Sequence, residues 1–359
     1  LARQGQGATA PNPAVGAVLV KAGRIIGEGF HRGPGQPHAE AVALDDARAR
    51  GEDPRGASLF VSLEPCCHEG GGKRTPPCAQ RVVAEGVAEV FAAVADPNPR
   101  VAGRGMALLH SAGVKVHWGP CEAEAQELIS DFAVWVTARR PFVTLKWAQS
   151  LDGETTGVGS PWVTGPEARA HGHELRAAHD AVAVGAGTLR IDDPQLTVRH
   201  APLGPGGTPR RLVFAGAQGL PAQAHVFTDD QRHLTWVVAN PRGPVGDQAQ
   251  RLTPGRVVPW DGQDLQALGE ALLAAGFYRV FVEGGPRLLG FFLRQGWWDK
   301  VALFTAPSFL RPQAPEGEAV SLVQPQWSTW GRDSLVEGWN PASPSRTSSP
   351  PKEFACSPV

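Results

Sequence analysis

Short apolar runs that end in glycine or proline turns alternate with longer helix-patterned stretches along most of this chain, and that rhythm restricts its fold more than any other feature. Val15 to Val20 and Arg24 to Phe30, separated by Lys21-Ala22-Gly23, read as a hairpin. A helix from about His38 follows, then a strand from Ser58 to Leu63, a helix from Pro77 to Glu85 and a strand from Ala88 to Ala95. Val101 to Ala112, Val114 to Trp118 and Glu122 to Ala138 continue as helix, strand, helix. Arg139-Arg140-Pro141 reads as a linker, after which the pattern restarts. Strands are expected at Phe142 to Trp147, Ala181 to Val184, Arg211 to Phe214, Leu234 to Val238, Arg256 to Pro259, Tyr278 to Val282 and Val301 to Thr305. Helices are expected near Pro166 to Ala178, Asp264 to Ala275 and Arg287 to Gln295. Such alternation implies an α/β protein whose parallel or mixed sheets are covered on both faces. A length of 359 residues suits two domains, placed at 1–139 and 140–339. Beyond Leu310 the pattern fades, and the Pro/Ser-rich run over 340–359 reads as a disordered tail. Leu1-Ala2-Arg3-Gln4-Gly5 reads as the end of a helix, so a few residues are expected to precede it.

Within the first half, His38-Ala39-Glu40 is followed by Glu64-Pro65-Cys66 and then by Thr75-Pro76-Pro77-Cys78. One imidazole and two thiolates make a zinc-type donor set with a fourth position left for water, whose pKa then falls toward neutrality. A Glu that is not a ligand completes the equipment for hydrolytic deamination, in which H-x-E precedes P-C-x-x-C. His38, Cys66 and Cys78 are therefore the candidate ligands and Glu40 the candidate proton carrier. Pro76 and Pro77 suit a first helical turn, which would set Cys78 where the helix dipole favours a thiolate. Cys66 is preferred because it directly follows Pro65; Cys67 stands beside it as the competitor. Five cysteines, three of them in this motif, point to metal use in a reducing compartment rather than to a disulfide framework. No run approaches the roughly 20 apolar residues of a membrane span and no signal-peptide pattern opens the chain, so a cytoplasmic location without a membrane partner is expected. A net charge of −1 supplies no basic stripe for nucleic acid, and oligomerisation with further copies stays open.

The second half carries a different set. Lys146 to Gly153 couples a strand end to a polar turn, and Gly185-Ala186-Gly187-Thr188 follows another strand. Arg190 stands where the dinucleotide fingerprint needs its third glycine, so a Rossmann domain is not supported. Glu283-Gly284-Gly285-Pro286, between a strand and a helix, is the better phosphate loop because helix N–H groups and dipole attract anions.

Taken in order, these motifs resemble the bifunctional deaminase/reductase family of riboflavin biosynthesis from Leu1 to about Leu310. The resemblance rests on Pro11-Asn12-Pro13-Ala14-Val15-Gly16, Gly29-Phe30-His31, Pro37-His38-Ala39-Glu40, Glu64-Pro65-Cys66-Cys67-His68, Thr75-Pro76-Pro77-Cys78 and Asp96-Pro97-Asn98-Pro99. It continues through Lys146-Trp147-Ala148-Gln149, Trp162-Val163-Thr164-Gly165, Leu175-Arg176-Ala177, Asp192-Asp193-Pro194-Gln195-Leu196-Thr197-Val198-Arg199 and Glu283-Gly284-Gly285. It implies a three-layer N-terminal domain like cytidine deaminase and a C-terminal domain like dihydrofolate reductase, using Zn2+ and NADPH. It also implies two consecutive steps on small phosphoribosylated pyrimidines. The amino group at position 2 of 2,5-diamino-6-ribosylamino-4(3H)-pyrimidinone 5′-phosphate is hydrolysed. The ribosyl group of 5-amino-6-(5-phosphoribosylamino)uracil is then reduced to ribityl.

Carried over residue by residue, the resemblance assigns metal binding to His38, Cys66 and Cys78 and proton transfer to Glu40. Substrate positions of the deaminase half fall on Asn12, His31, His68, Asp96 and Asn98. In the reductase half, Ala148, Trp162, Thr188, Asp192, Gly284 and Gly285 match cofactor positions. Lys146, Ser160, Arg176, Leu196, Arg199 and Glu283 match or adjoin substrate positions, with Arg176 and Arg199 expected to fork onto the phosphate. Three departures stand out. The Cys66 to Cys78 loop is about three residues longer than the family spacing, which leaves Lys73 or Arg74 as the phosphate-contacting cation. Phe214-Ala215-Gly216 replaces a common Asp-Ser pair, and the region after Pro307 lacks a glycine-rich stretch. A monofunctional deaminase with an impaired reductase half is the alternative those departures raise.

Overall fold

The computed structural model describes residues 1–68, 76–155, 162–308, 323–340 and 342–344, which divide into two compact units, Leu1–Ala138 and Arg139–Ser343. In the first, β1 (Gly16–Lys21) and β2 (Arg24–Phe30) form the expected hairpin, followed by α1 (Ala39–Ala49), β3 (Ser58–Val61), α2 (Cys78–Ala84) and β4 (Glu89–Ala92). The unit continues with α3 (Arg104–Ser111), β5 (Lys115–Trp118), α4 (Glu122–Leu128) and α5 (Ser130–Ala138). Strand order is β2-β1-β3-β4-β5; β1 is antiparallel to both of its neighbours, whereas β3, β4 and β5 run parallel. Ala22 and Gly23 both take positive φ, 49° and 73°, which is what a two-residue hairpin turn needs to match the strand twist. The single helix expected over 122–138 is two helices, broken at Ile129.

Close approaches without side chains place the elements that carry the motif. A Cβ at Gly27 would lie 2.3 Å from the Ala43 carbonyl, and one at Gly29 would lie 2.8 Å from the Ala39 carbonyl, so α1 rests directly on β2. That contact fixes the first turn of α1, the turn that carries Glu40. Its inner face buries Ala39, Ala43, Leu44 and Ala47 against Leu19, Ile26 and Leu59 of the sheet. Each fully buried Leu or Ile contributes about 1.5–3 kcal/mol to that seat.

The second unit contains β6 (Phe142–Gln149), α6 (Pro166–Ala177), β7 (Ala181–Gly185), α7 (Ala186–Asp192), β8 (Arg210–Phe214), α8 (His225–Thr228) and β9 (Thr235–Ala239). It continues through α9 (Pro244–Leu252), β10 (Val257–Pro259), α10 (Leu265–Ala274), β11 (Arg279–Val282), α11 (Pro286–Arg294), β12 (Lys300–Thr305), β13 (Val323–Trp330) and β14 (Asp333–Trp339). The sheet order is β10-β9-β8-β7-β11-β6-β12-β14-β13. Seven strands run parallel, and the β13–β14 hairpin adds an antiparallel edge that the sequence pattern did not reveal. Because β11 inserts between β7 and β6, the loops leaving the carboxyl ends of β7 and β11 open side by side. Such a crevice is where ligands settle on parallel sheets.

Arg140 is no solvated spacer. Its guanidinium forks onto Asp299 at 2.6 and 2.9 Å with both side chains buried, and Asp299 also accepts from the Val143 N–H and the Ser343 hydroxyl. Asn340 donates to the Trp298 carbonyl at 2.7 Å. Asn340 and Ser343, read from sequence as the start of a disordered tail, are thereby held in place; residues 341 and 345–359 lie outside those described. Among the described residues no helix is long and apolar enough to cross a membrane.

Candidate active sites

His38 is the N-cap of α1, Cys78 is the first residue of α2, and Cys66 lies in the loop after β3. Their ligand atoms all lie within 4.8 Å of one another, the one such group of at least three His, Cys, Asp or Glu among the described residues. His38 Nδ1 is 3.5 Å from Cys66 Sγ and 3.4 Å from Cys78 Sγ, and the Cys78 N–H donates to Cys66 Sγ at 3.4 Å. Two sulfurs and one imidazole nitrogen converging in a buried corner are a donor set that fits Zn2+. Cys67 instead packs against the apolar core of the unit.

The loop bearing Cys66 is anchored by its neighbour Glu64, to which the sequence reading gave no role. The Glu64 carboxylate is buried and accepts from the N–H groups of Asp96, Gly103, Gly105 and Met106 at 3.1, 2.8, 2.8 and 3.3 Å. It thus satisfies the open N-terminus of α3, whose N-cap Gly103 has no side chain to do so. A Cβ on Gly105 would stand 1.9 Å from the Pro65 carbonyl, so α3 abuts the backbone next to the ligand.

Glu40 is 3 % exposed, and burial pushes its carboxyl up to about 7, with Cys66 adding to the rise and His38 opposing it. A carboxyl with that affinity can hold or release a proton near neutrality. Asn12 Nδ2 meets His31 Nε2 at 3.0 Å, while His31 Nδ1 bonds the Pro37 carbonyl at 3.1 Å and its ring stands edge-on to His38. Burial lowers the His31 pKa, which favours the neutral ring. Asp96 is raised to about 7 by burial, against an opposing bond from the Asn98 N–H. His68 is half-buried two residues beyond Cys66, and Lys73 and Arg74 lie outside the described residues.

In the second unit, Glu283 leaves the end of β11 and meets Arg176 of α6. Arg176 Nε and Nη2 bond the two carboxylate oxygens at 2.5 and 2.8 Å, and Nη1 donates to the Thr197 carbonyl at 2.8 Å. The fork expected to hold a phosphate is therefore engaged by a carboxylate. Burial would raise Glu283, but Arg176 chiefly, with Lys146 and His173, holds it down to about 2. Burial lowers the Lys146 ammonium, while Glu283 opposes that shift. Arg199 bonds Gln195 and Thr197 of its own loop, and Leu196 is buried at φ 55°.

The Gly285 N–H donates to Thr188 Oγ1 at 3.1 Å, tying the turn after β11 to the first turns of α7. A Cβ on Gly187 would meet nothing within 4 Å, so backbone is open to an approaching group there, beside the N-terminus of α11. That cradle fits the diphosphate of a dinucleotide. Ala148 packs beside Phe304 and Leu335, Trp162 is 57 % exposed under the Arg169 guanidinium, and Asp192 is exposed at the end of α7. Ser160 lies outside the described residues. His173, absent from the sequence reading, is buried on α6 against the Arg199 main chain; a lone histidine in a polar helix gives no signal of such a contact.

Comparison with known proteins matches both units. The cytidine and deoxycytidylate deaminase zinc-binding region matches residues 1–94, and the RibD C-terminal domain matches residues 141–324. The chain is 40% identical to riboflavin biosynthesis protein RibD of Aquifex aeolicus across 90% of this chain and 86% of that protein. RibD of Escherichia coli is 36% identical across 88% of this chain and 87% of its own. A diaminohydroxyphosphoribosylaminopyrimidine deaminase/5-amino-6-(5-phosphoribosylamino)uracil reductase from Thermotoga maritima shares the structure with a TM-score of 0.77, 33% identity and 95% coverage of both chains. Acinetobacter baumannii RibD gives 0.77 at 35% identity, covering 94% of this chain and 95% of its own. A match that runs through both halves favours the bifunctional reading over a lone deaminase. The chain belongs to the RibD family, bifunctional enzymes of riboflavin biosynthesis in which a zinc-dependent deaminase is followed by an NADPH-dependent reductase.

Proposed function

We propose that this chain deaminates 2,5-diamino-6-ribosylamino-4(3H)-pyrimidinone 5′-phosphate and then reduces the ribosyl group of the resulting 5-amino-6-(5-phosphoribosylamino)uracil to ribityl. The observation that carries the first step is the convergence of His38, Cys66 and Cys78 with Glu40 buried beside them. His38, Cys66 and Cys78 would hold Zn2+, which when bound acidifies water and supplies a nucleophile at neutral pH. Glu40 would carry two protons in turn, one from the attacking water to the ring nitrogen and one from the new hydroxyl to the departing amine, a shuttle suited to a carboxyl with pKa about 7. Asn12, His31, His68, Asp96 and Asn98 offer directional donors and acceptors for the flat base and its ribose phosphate.

For the second step, Thr188, Gly284 and Gly285, with Ala148, Trp162 and Asp192, would hold NADPH, which supplies the hydride. Glu283, held ionised by Arg176, and Lys146 would orient the sugar hydroxyls, while Ser160, Leu196 and Arg199 hold the phosphate end. Binding to small phosphoribosylated pyrimidines is supported by the amide and imidazole of Asn12 and His31 in the first unit and by the paired charges of Arg176 and Glu283 in the second. Three of the five cysteines, Cys66, Cys67 and Cys78, stand in the metal-binding motif, which supports a reducing, cytoplasmic location. Purified protein with zinc should release ammonia from the diaminopyrimidine and then consume NADPH. Glu40→Gln should abolish ammonia release by a factor of about 10²–10⁴ while keeping zinc and NADPH oxidation with the deaminated intermediate. Ammonia release at the wild-type rate in that variant would contradict the assignment.

A further inference from the structure

The loop bearing Leu196 and Arg199 is held from one side by two side chains of α6. Arg176 Nη1 donates to the Thr197 carbonyl at 2.8 Å, and His173 Nδ1 accepts from the Arg199 N–H at 3.3 Å. His173 and Arg176 are three residues apart and share one helix face. The carbonyl of one residue and the N–H two residues on point the same way from extended backbone, so this face bonds the loop as a neighbouring strand would. The segment needs an external hold. Leu196 sits at φ 55° with its side chain 3 % exposed, a conformation that costs a residue with a Cβ about 1–2 kcal/mol.

We propose that His173 is a positioning residue of the reductase: as a neutral acceptor for the Arg199 N–H, it sets the Arg199 side chain for the substrate phosphate. This rests on the reading of Arg199 as a phosphate-binding residue. His173 is 7 % exposed, its ring stands edge-on to His200 at 5.0 Å, and the charges facing it are Arg176, Arg199 and Glu283. Burial and the two cations press its pKa down to about 4, so Nδ1 keeps its lone pair through the neutral range. Acceptance at Nδ1 places the ring proton on Nε2.

Two amide substitutions separate this role from packing. Asn carries its polar atom near the place of Nδ1, whereas Gln carries it near the place of Nε2. In the full-length zinc-loaded protein, His173→Gln should raise the KM for the deaminated intermediate about tenfold, the loss of one hydrogen bond, with kcat and the KM for NADPH unchanged. His173→Asn should keep KM within about twofold of wild type, and Arg199→Ala should raise it by at least as much as His173→Gln. Equal KM values for the Asn and Gln variants beside a raised KM in Arg199→Ala would overturn the proposal. An unchanged KM in Arg199→Ala would remove the phosphate-binding reading, and the positioning role with it. Thermal unfolding of each variant identifies a general loss of structure, which should affect Asn and Gln alike and would also count against the proposal.

Discussion

Gly105→Ala opposes two physical effects of different size. Intrinsic helix propensity favours alanine by up to about 1 kcal/mol, so a solvent-facing site would be stabilised. At position 105, however, the new Cβ would stand 1.9 Å from the Pro65 carbonyl, where real contacts do not fall below 3.0 Å. Neither partner is a side chain that can swing away, so α3 and the Pro65 backbone must separate by about 1 Å. The Glu64 carboxylate then loses its bonds from the Gly105 and Met106 N–H groups, now 2.8 and 3.3 Å long. At about 1.5–3 kcal/mol for each charge-assisted bond, the first unit should lose about 3–6 kcal/mol, well beyond the propensity gain. The displacement also passes to Cys66, the next residue in the chain, so zinc affinity should fall with stability. Urea unfolding paired with zinc content after dialysis measures both, and NADPH oxidation with the deaminated intermediate serves as an internal control for the second unit. A variant as stable as wild type with full zinc occupancy would refute the close-approach reasoning.

Cys66→Ser should lose zinc on dialysis while Cys67→Ser retains it; stoichiometric loss from the second variant would make Cys67 the ligand. Asp299→Ala leaves the Arg140 guanidinium buried without its partner and should destabilise the second unit by about 3–5 kcal/mol in urea, and a loss below about 1 kcal/mol would show that the pair is dispensable. Burial raises the Asp180 carboxyl from 3.8 to about 6, against bonds from the Tyr278 and Arg279 N–H groups. The folded protein therefore takes up that proton first, and this contribution to stability is present below about pH 4 and lost as pH rises through 6. Wild type should accordingly gain about 2 kcal/mol on Asp180→Asn between pH 7 and pH 4, and a pH-independent difference would remove Asp180 from the titration.

How far the sequence could be read depended on whether the information was local. Ala22-Gly23 and Pro77-Cys78 announce a turn and a helix start through their own backbone preferences, and the His38 to Glu40 spacing places a ligand and a carboxyl on a first turn. The β13–β14 hairpin escaped notice because Gln326, Ser328 and Thr329 are polar and exposed, while the adjacent Leu335 and Val336 break the alternation of a one-sided strand: they point to opposite faces of the sheet and both are buried where β14 pairs with β12. The break at Ile129 was hidden for the opposite reason, since residues on both sides carry helical periodicity. Contacts between distant segments were the least legible. Glu64 bonding to residues 96–106, Arg176 turned onto Glu283, and His173 under Arg199 all depend on tertiary placement that neighbouring residues do not encode.

The strand order of the second unit also governs when that unit can form. Its first strand, β6, is interior, and both of its partners arrive at the far end of the segment: Phe142 pairs with Arg279, and Thr144 with Lys300. A chain emerging from the ribosome holds β6 as an apolar strand with two open edges until more than a hundred further residues have been made. The first unit needs no such wait, because β1 finds β2 within a few residues and β3 soon after. High contact order slows closure and exposes edges to neighbouring chains, so nascent chains truncated before β12 should be the aggregation-prone species in synthesis. Expression yield would then depend on how quickly translation passes Thr305, apart from how stable the finished enzyme is.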